Sequence, residues 1–160
     1  MDVETKSSAP LDTSLLPQYQ EFLADNPGLE LWSYLGVVGS YELVATFSKL
    51  FWPDFVEVEG CVILAEHYYE GALKGVKLPQ ERESFEAFIN YVHIWDLFSN
   101  GVKRASISIE LDEYLAKIFT VMWKHALKET FPDKEFEFYY ETEPYEYGPT
   151  ISFYQKDKSS

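Results

Sequence analysis

Phe55-Val56-Glu57-Val58-Glu59-Gly60-Cys61-Val62-Ile63-Leu64 is the stretch on which the fold class turns. Before Pro53 the apolar residues recur at helical spacing. From Phe55 the period becomes two, and the Val and Ile enrichment predicts two short strands about Gly60. They are expected near 55–59 and 61–65, as a tight hairpin or as one bulged strand, because Glu-Gly is a weaker turn signal than Asn-Gly or Asp-Gly.

Toward the N-terminus, Ser40 offers a cap for a helix carrying Leu43, Val44, Phe47, Leu50 and Phe51 on one side and stopped by Pro53. Residues 29–38 are apolar but contain Gly36, with Gly39 just after, and read equally as helix or strand. Asp12-Thr13-Ser14 can cap a first helix with Leu15, Leu16, Tyr19, Phe22 and Leu23 together and Pro17 in its first turn, ended by Asn26-Pro27-Gly28.

Toward the C-terminus, residues 66–73 read as a short helix or an irregular connection. The spacing of Phe85, Phe88, Ile89, Val92 and Trp95 predicts a helix from Pro79 to a stop at Asn100-Gly101. Leu111, Tyr114, Leu115, Ile118, Phe119, Met122, Trp123, Ala126 and Leu127 form a broad apolar stripe over 111–129, a helix central to the core. Strict alternation then predicts strands at 135–141 and 150–155, with Phe136, Phe138 and Tyr140 facing inward, joined as a loose antiparallel pair. The expected fold is α+β: about four to five helices on a small, mainly antiparallel sheet. One domain spans residues 11–156, with polar tails at 1–10 and 157–160.

The chain has 160 residues, enough for one domain that buries about 70% of its unfolded surface. Its net charge of −14 is spread as −8 and −6 over the two halves, which disfavours direct binding to nucleic acid or to an anionic membrane. A partner of such a chain is expected to be basic. Cys61 is the only cysteine, so neither an intrachain disulfide nor a cysteine-based zinc cluster can form. With no signal-like N-terminus and no apolar run of membrane-spanning length, a cytoplasmic location is expected.

Residues 129–147 hold seven acids and seven aromatics, opposed by Lys134 alone. Glu135, Glu137, Tyr139 and Glu141 fall on the outward face of the predicted strand, and Glu143, Tyr145, Glu146 and Tyr147 on the loop after it. These eight residues are the candidate partner-binding surface, the carboxylates supplying charge and the tyrosines anchors of low conformational entropy. Carboxylates on alternate residues stand about 6.8 Å apart, half the linear charge density of one DNA strand. Nucleic-acid mimicry would need a second acidic row, for which Glu57 and Glu59 are the candidates. The plainer reading is a solvated strand face whose acids discourage edge-to-edge pairing.

A second constellation is the pair of His-x-x-acid motifs, His67 with Glu70 and His93 with Asp96. On neighbouring helices these would face one way and could hold a metal. The order reverses the Glu-x-x-His of di-iron bundles, and the supporting inward glutamates are missing. No metal or other cofactor is therefore expected. Cys61 lies in an apolar run and reads as buried and inert. The chain has neither a Gly-x-Ser-x-Gly elbow nor a phosphate-binding loop. The sequence thus points to a non-enzymatic acidic protein that docks on a basic protein by occlusion, as an inhibitor, an immunity-type antidote or an assembly factor. A metal-dependent enzyme built on the two histidine pairs, or a subunit of a larger assembly, are the alternatives, and the oligomeric state is left open.

Overall fold

The computed structural model describes residues 7, 9–98, 108–141 and 148–156. Among them are five α-helices and two antiparallel sheets, one of two strands and one of three: an α+β fold. The strands lie within one residue of the four expected positions. Packing divides the chain into two compact units, Met1–Phe47 and Ser48–Ser160.

In the first unit, Asp12 Oδ1 accepts from Ser14 N at 2.9 Å and caps a 3-10 turn, Thr13–Leu15. Helix α1 (Pro17–Asp25) starts only at Pro17, where proline's missing N–H needs no partner. The ambiguous stretch is helical, forming α2 (Leu31–Val38), and the ring of Tyr34 lies 5.4 Å from those of both Tyr19 and Phe22 on α1. Helix α3 (Tyr41–Phe51), whose residues from Ser48 on belong to the second unit, is capped as its sequence predicts, Ser40 Oγ accepting from Leu43 N at 3.1 Å.

The second unit opens with the hairpin of β1 (Phe55–Val58) and β2 (Cys61–Leu64), which settles the choice against a bulged strand. Val58 faces Cys61, so the loop is two residues long. Glu59 (φ +50°) and Gly60 (φ +84°) both take the left-handed conformation that a hairpin-compatible turn demands. Helix α5 (Ile109–Thr130) begins at Ser108, whose Oγ accepts from Leu111 N at 3.0 Å, and buries Ala116, Phe119, Trp123, Ala126 and Leu127. Trp123 Nε1 donates to Leu50 O at 2.7 Å, and Phe51 stacks on Phe119 at 4.9 Å, which fixes the end of α3 to α5. In the three-stranded sheet, β5 (Thr150–Gln155) lies between β3 (Val92–His93) and β4 (Phe136–Glu141). Phe153 of β5 is the hub of the core, its ring within 6.3 Å of those of Phe55, Trp123, Phe136 and Phe138.

The helix after Pro79 is where the sequence reading fails. Helix α4 covers only Arg82–Ile89; Val92 and His93 are a strand, and Trp95–Leu97 is a 3-10 turn. Phe88 is exposed, and the buried positions of this turn of chain are Glu86 and Asn90. The reason lies in two strand edges. Register places the backbone groups of Val62 and Leu64 on the side of β2 away from β1, and those of Phe153 and Gln155 on the side of β5 away from β4. Among the described residues neither edge has a strand to pair with there.

Glu86 accepts from Val62 N through Oε1 and from Gln155 N through Oε2, both at 2.6 Å. Asn90, one turn on, accepts from Leu64 N at 2.9 Å and donates to Val62 O at 2.9 Å and Phe153 O at 3.3 Å. The chain then enters β3, which pairs with Thr150 and Ile151, and Ile94 N donates to Pro149 O at 3.1 Å. One segment, residues 86–94, therefore runs along the free edge of β5, meeting Gln155 N and Phe153 O with side chains and then Ile151, Thr150 and Pro149 with backbone.

Burial pushes the Glu86 carboxyl above its ordinary value of 4.5, against the opposing pull of the two backbone N–H donors. Its folded form holds a proton at a pH where the unfolded chain has lost it, so its contribution to stability falls as pH rises above 4.5. Two variants test the bracket by urea denaturation. Asn90→Asp is isosteric but sets an acceptor against two carbonyls, and Glu86→Gln sets an N–H against an N–H. Each is expected to cost about 1–3 kcal/mol for every buried polar group it leaves unsatisfied. The wild-type advantage over Glu86→Gln should narrow as pH rises above 4.5.

Candidate functional site

The acidic strand emerges as β4, an edge strand on which only part of the predicted alternation holds. Phe136 and Phe138 pack on Phe153, as expected for the inward face. Tyr140 does not follow them: it is 45% exposed, because the core cover ends before it reaches this position. Tyr139 is also exposed, and the charge of Glu141 beside it pushes its hydroxyl above the ordinary value. Glu143, Tyr145, Glu146 and Tyr147 lie outside the described residues.

The carboxylates of this strand are not a uniform acidic row. Glu137 forms an ion pair with Lys156 at 2.6 Å, whose hydrogen bond and charge hold the Glu137 carboxyl below the usual range and raise Lys156. Lys134 bonds Glu57 at 2.7 Å, so the proposed second acidic element is near the start of β4 but joined to it through a cation. Lys124 and Lys128, on α5, complete a cleft of about 300 Å³ lined also by Lys134, Lys156, Glu135, Phe136, Glu137 and Phe138. The Lys124 ammonium sits 5.1 Å from the centre of the Phe138 ring. Four lysines thus surround the two acids at this edge, three of them from outside the acid-rich stretch 129–147.

The histidine pairs take up separate positions. His67 ends a 3-10 turn, and its Nδ1 donates to Ile89 O at 2.6 Å, tying that turn to the end of α4. Glu70 is exposed. His93 lies in β3 with its ring 4.9 Å from that of Tyr91, and Asp96 lies in the following 3-10 turn. Neither pair has the α-helical setting that would point histidine and acid the same way. Among the described residues no three His, Cys, Asp or Glu side chains gather as a metal site would require. Cys61 is fully buried, and burial, helped by the charge of Glu86, pushes its thiol up to about 11, far from thiolate chemistry.

The surface that the sequence reading missed is in the first unit. Trp32 is 82% exposed and Tyr41 99%, and Leu35, Val37, Val38, Leu43 and Val44 are exposed beside them in sequence. On α2, Tyr34 is turned toward α1 while Trp32 and Leu35, three residues apart, share another side. The signal was present in Leu-Trp-Ser-Tyr-Leu-Gly-Val-Val, residues 31–38, which has only one polar residue: a helix apolar nearly all round must either be buried or meet a partner. From residue 7 to residue 48 the chain has five exposed acids, Asp12, Glu21, Asp25, Glu30 and Glu42, and no Lys, Arg or His.

Comparison of the chain with family models, curated proteins and solved structures gives no match in any of the three. Its chemistry must be read from its own surfaces. For the β4 edge, the ion pair makes a direct prediction. In Lys156→Met the Glu137 carboxyl should titrate closer to its ordinary value of 4.5 than it does in the wild type, as followed by carboxyl-carbon NMR. An unchanged midpoint would mean that the pair does not form in solution.

Proposed function

We propose that this chain is a non-enzymatic acidic binding protein that docks on a basic protein partner and acts by occlusion, as an inhibitor, an immunity-type antidote or an assembly factor. The observation that supports this reading most is the exposed apolar surface of α2 and α3, set in a stretch that carries only negative charge. Large aromatic side chains held open to water lower no energy in the free chain, and Trp and Tyr are the residues that most often anchor protein interfaces. The net charge of −14 would steer a cationic partner in at long range and repel polyanions. The mixed-charge edge at β4 gives less support than the sequence promised, because Glu137 is already paired with Lys156 and four lysines line the cleft beside it. Tyr139 and the loop at 142–147 remain candidates for secondary contacts.

The same exposed surface also favours a second reading, a subunit of a larger assembly. Light scattering of the purified chain separates the two: the docking reading expects a monomer and the assembly reading a defined multiple. For the docking reading, immobilised full-length chain should retain a strongly basic protein from extract of the source cells. The exposed-site variant Trp32→Ser/Tyr41→Ser should retain about tenfold less or worse, the scale of losing interface anchors. Retention of only acidic proteins, or retention indifferent to these two residues, would count against it.

A further inference from the structure

We infer that the exposed α2–α3 face receives a cationic amphipathic helix from the partner; this rests on the reading of the chain as a binding protein and names the element it binds. Residues 31–38 and 41–47 are helical, so their backbone groups are satisfied internally and offer an incoming chain no ladder to join. An extended segment laid on apolar side chains would surrender its hydrogen bonds to water with nothing in exchange. A helix arrives with its backbone already paired. It can present apolar residues every three or four positions to Trp32 and Leu35 on α2 or to Tyr41 and Val44 on α3, each pair spaced three apart on its own helix.

Charge decides which helix. Glu30 immediately precedes α2 and Glu42 lies in the first turn of α3, both exposed, and no base lies between residues 7 and 48 to offset them. Lys and Arg flanking an apolar stripe would meet these acids at the rim, where charge sets partner choice and association rate. A second copy of the chain would bring the same acids and another −14 of net charge to the contact. An anionic lipid surface is repelled by the same field, and helices that lie on membranes are typically rich in Lys and Arg, which this face lacks.

The test uses the full chain and a fluorescein-labelled synthetic peptide of about 18 residues, five helical turns of Leu and Lys in amphipathic register. Its control is a scrambled peptide of the same composition. By anisotropy the amphipathic peptide is expected to bind at least about tenfold tighter than the scrambled one. Trp32→Ser/Tyr41→Ser should remove that preference while leaving the weaker, salt-sensitive binding of the scrambled peptide unchanged. Equal affinity for the two peptides, or a preference that survives the double substitution, overturns the inference, as does tighter binding of the variant-sensitive face to anionic vesicles or to a second copy. If the peptides fail while a basic protein captured from extract still depends on Trp32 and Tyr41, the helix is wrong and the docking reading stands. If both fail, the docking reading falls with it.

Discussion

Two side chains one helical turn apart, Glu86 and Asn90, take the place of a missing strand, and the second unit depends on them. The edges of β2 and β5 face each other without a ladder, and a buried strand edge with open N–H and C=O groups would be strongly unfavourable. A carboxylate and an amide supply three acceptors and two donor contacts in the register that those edges require. The hairpin, the three-stranded sheet and α4 are thereby joined through polar contacts, with Val62, Phe153 and Trp123 packed beneath. The short β3 follows directly, since Asn90 leaves the chain beside the one stretch of β5 edge still open.

This explains which parts of the fold were legible in the sequence. Alternation exposed β1, β2, β4 and β5, and a long apolar stripe exposed α5, because each pattern is local. Helix α4 was misread for the opposite reason: Phe85, Phe88 and Ile89 look like its buried face, yet Glu86 and Asn90 are buried because of backbone groups 24 to 69 residues away. Tyr140 shows a related limit, since alternation identifies the face of a strand but not how far the core extends beneath it. Lys124, Lys128 and Lys156 flank β4 only after folding, so the strand's acids looked unopposed in one dimension.

The candidate site moved for the same physical reason. An acidic, ring-studded strand draws attention in a sequence, but folding pairs Glu137 with Lys156 and packs Phe136 and Phe138 against the core. Residues 29–47 draw less attention because apolar helices ordinarily vanish into a core. Here Trp32 and Tyr41 stay exposed in a stretch of chain with no positive charge, the combination on which the proposed docking rests. The two units thus have different chemistry: the second satisfies its own polar groups, and the first leaves its apolar ones exposed.

Among the described residues the amides of Val62, Leu64 and Gln155 have side-chain acceptors in place of a strand partner, and native-state hydrogen exchange reads the protection that this bracket gives them. Exchange slowed to the rate of global unfolding at all three amides, together, is the predicted result. Fast or independent exchange at these positions, with the neighbouring amides of Ile63 and Tyr154 still protected, would contradict it.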